Sequence, residues 1–440
     1  MYLSVGARTI NRTPTPFAHA LCAEDKRMAF ANSKKLKLIA ALVGDEMNYI
    51  KGAKSQFPQS ELKGKKYGMK VTGYLADPGT VHDGIVANPD PVNEPEINAY
   101  MNNKNSSVEL DLWDEFVNTE DGEKFMEEIG APRAKNLAIS TQKAVMNEAM
   151  FQSAQAIVVT TADFKLLTKS AKALNELGVA GKKLSFQSPT IMGDIAEGGL
   201  AKFIPNEKMA KIYEDAYLGK YGGAEQIEIA NVPVIDTTGM DSAPTISGTV
   251  VTDANSNVLG VTAISAVTGS GTGGIIPGVP YKLSGLKVRT AAGIETEQDY
   301  VVIPYTENRG GSSVVVIPEL RIAANGTGYN NANAVIDAAT ISAATVGTTA
   351  TFTLSPILTA SKQYVVGQVR TESCLSFDQY RFNSLPGSEV KDVGTDGNIT
   401  LKVMEFGDGK NGVKLLRIDL PFCAKIFDHR ESITTYTPVS

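Results

Sequence analysis

The sequence predicts an α+β fold in which a β-rich segment interrupts a mixed core. Three observations carry this: one long helical period from Pro132 to Val158, alternating strands after residue 390, and a charge-poor run of short β-prone stretches from Thr237 to Lys362. The chain has 440 residues, 42% hydrophobic and 20% charged, which suits a folded soluble protein of several domains. Only three His, three Cys and one Trp occur, thin material for a metal site or for nucleophilic catalysis.

Residues 1–60 read as an arm. Pro14 and Pro16 keep Asn11–Pro16 extended. A short amphipathic helix is expected from Ser33 to Tyr49, burying Leu36, Ile39, Leu42 and Val43. The N-terminal stretch from Met1 to Ala20 has no continuous apolar run of the signal-peptide kind. Residues 61–118 lack the helical period. One strand is expected over Tyr67–Tyr74 and another through Ile97, Ala99, Met101, Val108, Leu110 and Leu112. A polar middle carrying Pro89, Pro91 and Pro95 separates them. This is a projecting hairpin with too few apolar residues to form a core alone.

Residues 119–160 hold the strongest helical signal. Pro132 suits a first turn, and Leu137, Thr141, Val145 and Ala149 recur at four-residue steps, with Met146, Met150 and Ile157 widening the stripe. Residues 161–236 read as α/β. Thr161 or Asp163 caps a helix burying Phe164, Leu167, Ala171, Leu174 and Leu177, with Gly178 as its stop. Leu184–Phe186 is a short strand, Asn206 caps a helix through Met209 and Ile212, and Gln226–Ile235 is a strand.

Residues 237–362 contain 14 charged positions and no His, Cys or Trp. The β-prone runs are Ile246–Val251, Val258–Ile264, Tyr281–Val288, Asp299–Pro304, Ser313–Ile317 and Ala350–Leu354, which predict a small inserted β-barrel or sandwich. Residues 363–390 resume the core with a strand over Cys374–Leu385. Residues 391–440 close it with an antiparallel hairpin on Ile399, Leu401 and Val403 and on Leu416, Ile418, Leu420 and Phe422.

No motif carries catalysis. Gly269–Gly274 has the spacing of a dinucleotide loop, but Pro277 and Pro280 follow where a helix would have to start. Gly407–Gly412 matches too, and a strand follows it. Asp392–Gly397 resembles the start of a calcium loop, yet the twelfth position is Val403 where a bidentate Glu is needed. The histidines His19, His82 and His429 lie apart, without zinc-ligand spacing. Cys423 near His429 reads as a buried strand cysteine rather than a nucleophile. Cys22, Cys374 and Cys423 are too few and too scattered for a disulfide framework, so reduced thiols are expected. Neither cofactor nor metal is expected, and the chain is not read as an enzyme.

Charge is more telling than motifs. Residues 1–66 carry twelve basic and five acidic groups, whereas residues 67–130 carry three basic and fourteen acidic ones. Adjacent segments of opposite sign favour self-association.

The order of arm, acidic hairpin, long helix, α/β segment, β-insert and returning strands resembles the major capsid proteins of tailed bacteriophages with the Hong Kong 97-type fold. It is most similar to the short-tailed Salmonella phage branch with an inserted β-barrel. Glu96–Tyr100 leading into Leu112–Phe116, and the helix through Ala134, Leu137 and Ala149, resemble that family's extended loop and spine helix. Ile229–Ile235, Tyr281–Lys287, Val413–Phe422 and Asp428–Ile433 resemble the strand before the insert, a strand pair within it and the closing strands.

The resemblance implies a self-assembling shell of hexamers and pentamers around double-stranded DNA. The implied partners are further copies of the chain, scaffolding and portal proteins, and non-specifically contacted DNA. The implied location is the virion, with assembly in the bacterial host cytoplasm. Residues 61–118 become the extended loop, 119–160 with 391–440 the peripheral domain, and 161–236 with 363–390 the axial domain. Subunit contacts fall to Lys63, Lys65, Lys66, Tyr67, Glu109, Asp111, Trp113, Asp114 and Glu115. Contacts between capsomers fall to Asp253, Asn255 and Asn257. This stretch departs from the family, whose loop here is charged, because Thr252–Gly260 holds Asp253 as its one charge, so polar or backbone contact replaces an electrostatic one. An encapsulating compartment shell of the same fold and a β-rich surface protein are the alternatives.

Overall fold

The computed structural model describes residues 41–54, 66–70, 96–100, 102–111, 131–153, 155–198, 220–252, 254–269, 274–276, 278–289, 295–296, 301–302, 313–324, 334–336, 338–379, 389–394, 399–408, 413–426 and 429–439. In chain order these hold strands β1 (Lys66–Lys70), β2 (Glu96–Tyr100) and β3 (Asn102–Asp111), then helix α1 (Ala131–Ala149). Next come β4 (Gln155–Val158), α2 (Phe164–Glu176), β5 (Lys183–Gln187), α3 (Pro189–Gly198), β6 (Lys220–Tyr221), β7 (Ala224–Glu228) and β8 (Val234–Asp236). The β-rich segment supplies β9 (Thr245–Thr252), β10 (Val258–Thr268), β11 (Tyr281–Leu283), β12 (Leu286–Arg289), β13 (Glu295–Thr296) and β14 (Val301–Val302). It continues with β15 (Ser313–Ala324), β16 (Ala334–Ile336), α4 (Ala338–Ala344), β17 (Thr345–Val346) and β18 (Thr349–Pro356). The chain ends with β19 (Gln363–Thr371), β20 (Leu375–Asp378), β21 (Glu389–Gly394), β22 (Thr400–Asp408), β23 (Val413–Ile426) and β24 (Ser432–Pro438). The fold is α+β.

The chain divides into two compact units, one of Met1–Glu46, Asn105–Leu137 and Asn383–Leu420, the other of the remainder. In the first, β21, β22 and β23 form an antiparallel sheet, with Lys402 opposite Asp419 and Asp408 opposite Val413. Ile399, Leu401, Ile418 and Leu420 are buried in it, as the sequence alternation requires. A helical turn over 41–46 buries Val43.

In the second unit a mixed sheet runs β4-β24-β19-β5-β7-β6, with β8 beside β19. The whole of β24 pairs antiparallel with β19, and β5 with β7, like β24 with β4, pairs parallel. Helices α2 and α3 cover the sheet through Leu166, Leu167, Ile191, Met192 and Ile195, against which Ile157 and Val365 pack. The start of α2 is fixed by Asp163, whose Oδ1 accepts from the Lys165 amide at 2.9 Å. Its end is fixed by Gly178 at φ 75°, a conformation glycine adopts without Cβ strain.

The β-rich segment forms one series of paired strands, β13-β12-β16-β15-β10-β9-β18-β11-β14, with β17 beside β18. Its two ends meet. Thr237 N–H donates to Lys362 O at 2.9 Å, the Lys362 N–H donates to Thr237 Oγ1, and Asp236 lies opposite Gln363.

Several sequence expectations are corrected. The long helix stops at Ala149, and Ile157 sits on β4 rather than on the helical stripe. The run Ile157-Val158-Val159 is β-branched, and β24 offers it a parallel neighbour, with Ile157 opposite Thr435. The carbonyl of Ala149 accepts from Gln368 Nε2 and that of Met150 from Thr434 Oγ1, so strands β19 and β24 satisfy the helix end.

The stretch Gln226–Ile235 is two strands, β7 against β5 and β8 against β19. Pro233 lies just before β8, and its missing N–H favours a break there. Tyr281–Val288 is likewise split by a turn at Ser284-Gly285, with Gly285 at φ 78°. Cys374 belongs to a turn, and the strand after it begins at Leu375. Asp392–Gly394 lies in β21 rather than in a loop. Expectations over 1–40, 71–95 and 199–219, including the helix after Asn206, fall outside the described residues.

Candidate functional site

The sequence offers no constellation of catalytic groups, and the polar side chains that the fold gathers centre on β19. Position 370 places an arginine in the middle of the larger unit's sheet, and Arg370 is fully buried. No carboxylate pairs with it among the described residues. Its Nη2 instead donates to Tyr49 O at 2.8 Å and Lys51 O at 3.3 Å, and Nη1 donates to Thr371 O at 3.2 Å. The guanidinium carbon lies 4.6 Å from the centre of the Phe186 ring and 5.3 Å from that of Tyr49, where ring faces attract cations. Burial lowers its pKa, and Nε has no hydrogen-bond partner.

Tyr49 completes the group. It is fully buried, its ring meets Phe186 edge-on at 5.0 Å, and its hydroxyl donates to Gln368 Oε1 at 2.6 Å. Its amide donates to Gln142 Oε1 at 3.0 Å. Burial, the largest influence, drives the phenol's pKa well up, so it acts as a neutral donor. Above the group, Lys182 reaches Glu225 and Glu372, both at 2.8 Å, and Lys51 reaches Glu225 at 3.4 Å. The bond from Lys182 holds the Glu225 carboxyl below its ordinary value of 4.5.

A second buried polar group lies where β20 pairs with β23. Lys425 Nζ is 3.9 Å from Glu148 Oε1, and both residues are buried. Cys423, opposite Asp378, has its thiol pushed up to about 12, first by burial and then by Glu148 and Asp378. At neutral pH it is a packed thiol, with Phe422 beside it stacked on Phe377 at 6.0 Å. Among the described residues no three His, Cys, Asp or Glu side chains lie close enough together to hold a metal ion. Nor is any described helix long and apolar enough to cross a membrane.

The residues that the sequence singled out for contacts between copies are partly placed. Lys66 and Tyr67 stand on β1, opposite Tyr100 and Ala99 of β2. These two strands form a sheet of their own, pairing five residues from Lys66↔Tyr100 to Lys70↔Glu96. Glu109 and Asp111 lie on β3. Asn255 and Asn257 are exposed in the turn between β9 and β10, around Ser256 at φ 64°. Lys63, Lys65, Trp113, Asp114, Glu115 and Asp253 are outside the described residues. Of the predicted helix core, Leu137, Val145, Met146 and Ala149 are buried on α1, and Met150 is buried in the turn just beyond it. Sequence reasoning missed the Tyr49–Arg370 group. Gln368 and Arg370, two polar residues at i and i+2 among Val365, Val366, Gly367 and Val369, were the available signal.

No protein-family model matches the chain, and no curated protein matches it. Solved structures do. The chain is similar to the capsid of Ralstonia phage GP4 at 8% identity and a TM-score of 0.44, over 88% of this chain and 87% of that one. It is similar to the acid-stable capsid structure of Helicobacter pylori bacteriophage KHP30 at 8% identity and 0.43, over 88% of each chain. The capsid of cyanophage P-SCSP1u gives 9% and 0.42, over 88% and 87%. At these identities and scores nothing about function follows from the likeness.

Proposed function

We propose that this chain is a major capsid protein of a tailed bacteriophage, with the Hong Kong 97-type fold and an inserted β-barrel over 237–362. In this reading, copies join as hexamers and pentamers of an icosahedral shell around double-stranded DNA. The observation that carries the reading is the β1–β2 ribbon. Two strands of five residues, paired with each other and joined through a polar, proline-rich connection, are at best marginally stable in water. A neighbouring copy supplies the surface that such a ribbon lacks, which couples its ordering to assembly. The charge reversal between residues 1–66 and 67–130 supports the same reading. It gives adjoining copies complementary surfaces, each exposed pair contributing only about 0–1 kcal/mol but repeated throughout a lattice.

The domain roles follow. Residues 1–60 form the arm, 61–118 the extended loop, 119–160 with 391–440 the peripheral domain, and 161–236 with 363–390 the axial domain. Lys63, Lys65, Lys66, Tyr67, Glu109, Asp111, Trp113, Asp114 and Glu115 contact the neighbouring subunit, and Asp253, Asn255 and Asn257 the neighbouring capsomer. Scaffolding and portal proteins act during assembly in the host cytoplasm, and the shell's inner face meets DNA without sequence preference. The subunit performs no catalysis and holds no cofactor. Electron microscopy of the expressed chain, alone and with a scaffolding protein, tests this. Closed shells are expected, and a small monodisperse oligomer under every assembly condition would overturn it.

A further inference from the structure

We infer that residues 47–54 form a strap that opens and closes on the larger unit ahead of global unfolding, with Tyr49 as its plug in a socket made by Arg370, Gln368 and Gln142. The strap is a short turn, Asn48–Ile50, followed by four residues that reach the edge of β20. Only Met47 and Tyr49 are buried in it, while Asn48, Lys51 and Lys54 are exposed. Its backbone joins β20 at one bridge, where Lys54 N–H donates to Leu375 O at 3.0 Å and Lys54 O accepts from Phe377 N–H at 3.1 Å. Its remaining anchors are the Tyr49 contacts to Gln142 and Gln368, the two carbonyls held by Arg370, and the exposed Lys51–Glu225 pair.

The chemistry of the socket separates this segment from an ordinary core element. Withdrawing an apolar plug leaves a dry hole that water fills poorly. Withdrawing Tyr49 uncovers the edge of Phe186 together with a guanidinium and two carboxamides, and water can hydrate the three polar groups. Few buried side chains and a hydratable socket are the properties of a segment that opens locally. Opening would uncover the outer edge of β20, whose Leu375 carbonyl and Phe377 amide would then be free to pair with another strand.

Two buried thiols provide the test. Cys374 precedes the bridged residue Leu375 and lies within electrostatic reach of Tyr49 and Arg370, whereas Cys423 sits within β23 opposite Asp378. Full-length Cys22→Ser/Cys423→Ser and Cys22→Ser/Cys374→Ser chains report on each thiol separately with an aromatic disulfide reagent. Cys374 should react at a rate that low urea leaves unchanged, while reaction of Cys423 should follow global unfolding and rise with urea. Tyr49→Ala should speed Cys374 by roughly a hundredfold, with a rate that low urea still leaves unchanged. Lys54→Pro removes the bridging N–H from an exposed position and should speed Cys374 by about tenfold. The inference is overturned if both thiols share one urea-dependent rate, or if neither substitution speeds Cys374. Should Tyr49→Ala fail to fold, the unsubstituted pair and Lys54→Pro decide it.

Discussion

Gly367 occupies the middle of β19, opposite Thr435 of β24, and the structure leaves no room for even one added carbon. A Cβ built there would lie 2.1 Å from Gln187 Oε1, 2.6 Å from Thr435 Oγ1 and 2.7 Å from Gln187 Cδ. Gln187 and Thr435 are themselves fully buried, and Gln187 Nε2 donates to Thr435 Oγ1 at 3.2 Å directly across the glycine. Gly367→Ala therefore forces the Gln187 side chain aside. Overpacking costs about 1–3 kcal/mol. A displaced carboxamide that stays buried without its partner costs about 1–3 kcal/mol more. The smaller entropy of an alanine in the unfolded chain returns about 0.4–1 kcal/mol. The expected net loss is about 1–5 kcal/mol, read as a lower urea midpoint at unchanged slope. Gln187→Ala removes the obstruction, so the double variant should recover at least about 1 kcal/mol relative to the sum of the singles. A Gly367→Ala chain within about 0.5 kcal/mol of the parent, or a strictly additive double variant, would refute the packing argument.

The acid limb of stability should depend on Glu225. Its carboxyl is held below 4.5 by Lys182, so its contribution is present above that value and fades as pH falls further; Glu225→Gln should flatten a urea-midpoint profile taken from pH 7 to 3. Cys423, with its thiol pushed up to about 12, should resist iodoacetamide at pH 8 in the native chain and react once urea unfolds it, as read by mass spectrometry. Asp163→Ala should cost about 0.5–2 kcal/mol through the lost cap on α2, with Asp163→Asn keeping most of it, by urea titration. Deleting residues 67–105, which include most of β1 and all of β2, should leave a folded subunit by circular dichroism that forms no closed shells; normal shells would remove the ribbon from the assembly mechanism.

Local grammar was readable wherever a few neighbouring residues decide the structure. Asp163 and Gly178 bound α2 as their chemistry requires, and Ile418 and Leu420 of the predicted alternation are both buried on β23. Reading failed where a distant partner decides. The run after Ala149 continues an apolar stripe that suits a helix or a strand equally, and only β24, nearly 280 positions away, makes it β4. Arg370 drew no notice in the sequence because its partner, Tyr49, which supplies both a ring and a carbonyl, lies 321 positions earlier. The β1–β2 pairing was legible because its signals are local, two short strand-prone runs on either side of a stretch holding Pro89, Pro91 and Pro95.

The neck at Thr237 and Lys362 has a consequence for how such a chain can change. Because Asp236 and Gln363 already face each other as strand partners, β8 and β19 meet as though joined by a tight turn. The 126 residues between them enter and leave at one point. The loop-closure entropy of that connection grows only with the logarithm of its length, so doubling it adds about 0.6 kcal/mol. Length can be added beyond the neck at little entropic cost, provided Gly278, whose carbonyl accepts from the Tyr436 hydroxyl of β24 at 2.7 Å, keeps its place. Extra length at this position is entropically cheap, while the Gly278 contact ties the inserted segment to β24 at a second point.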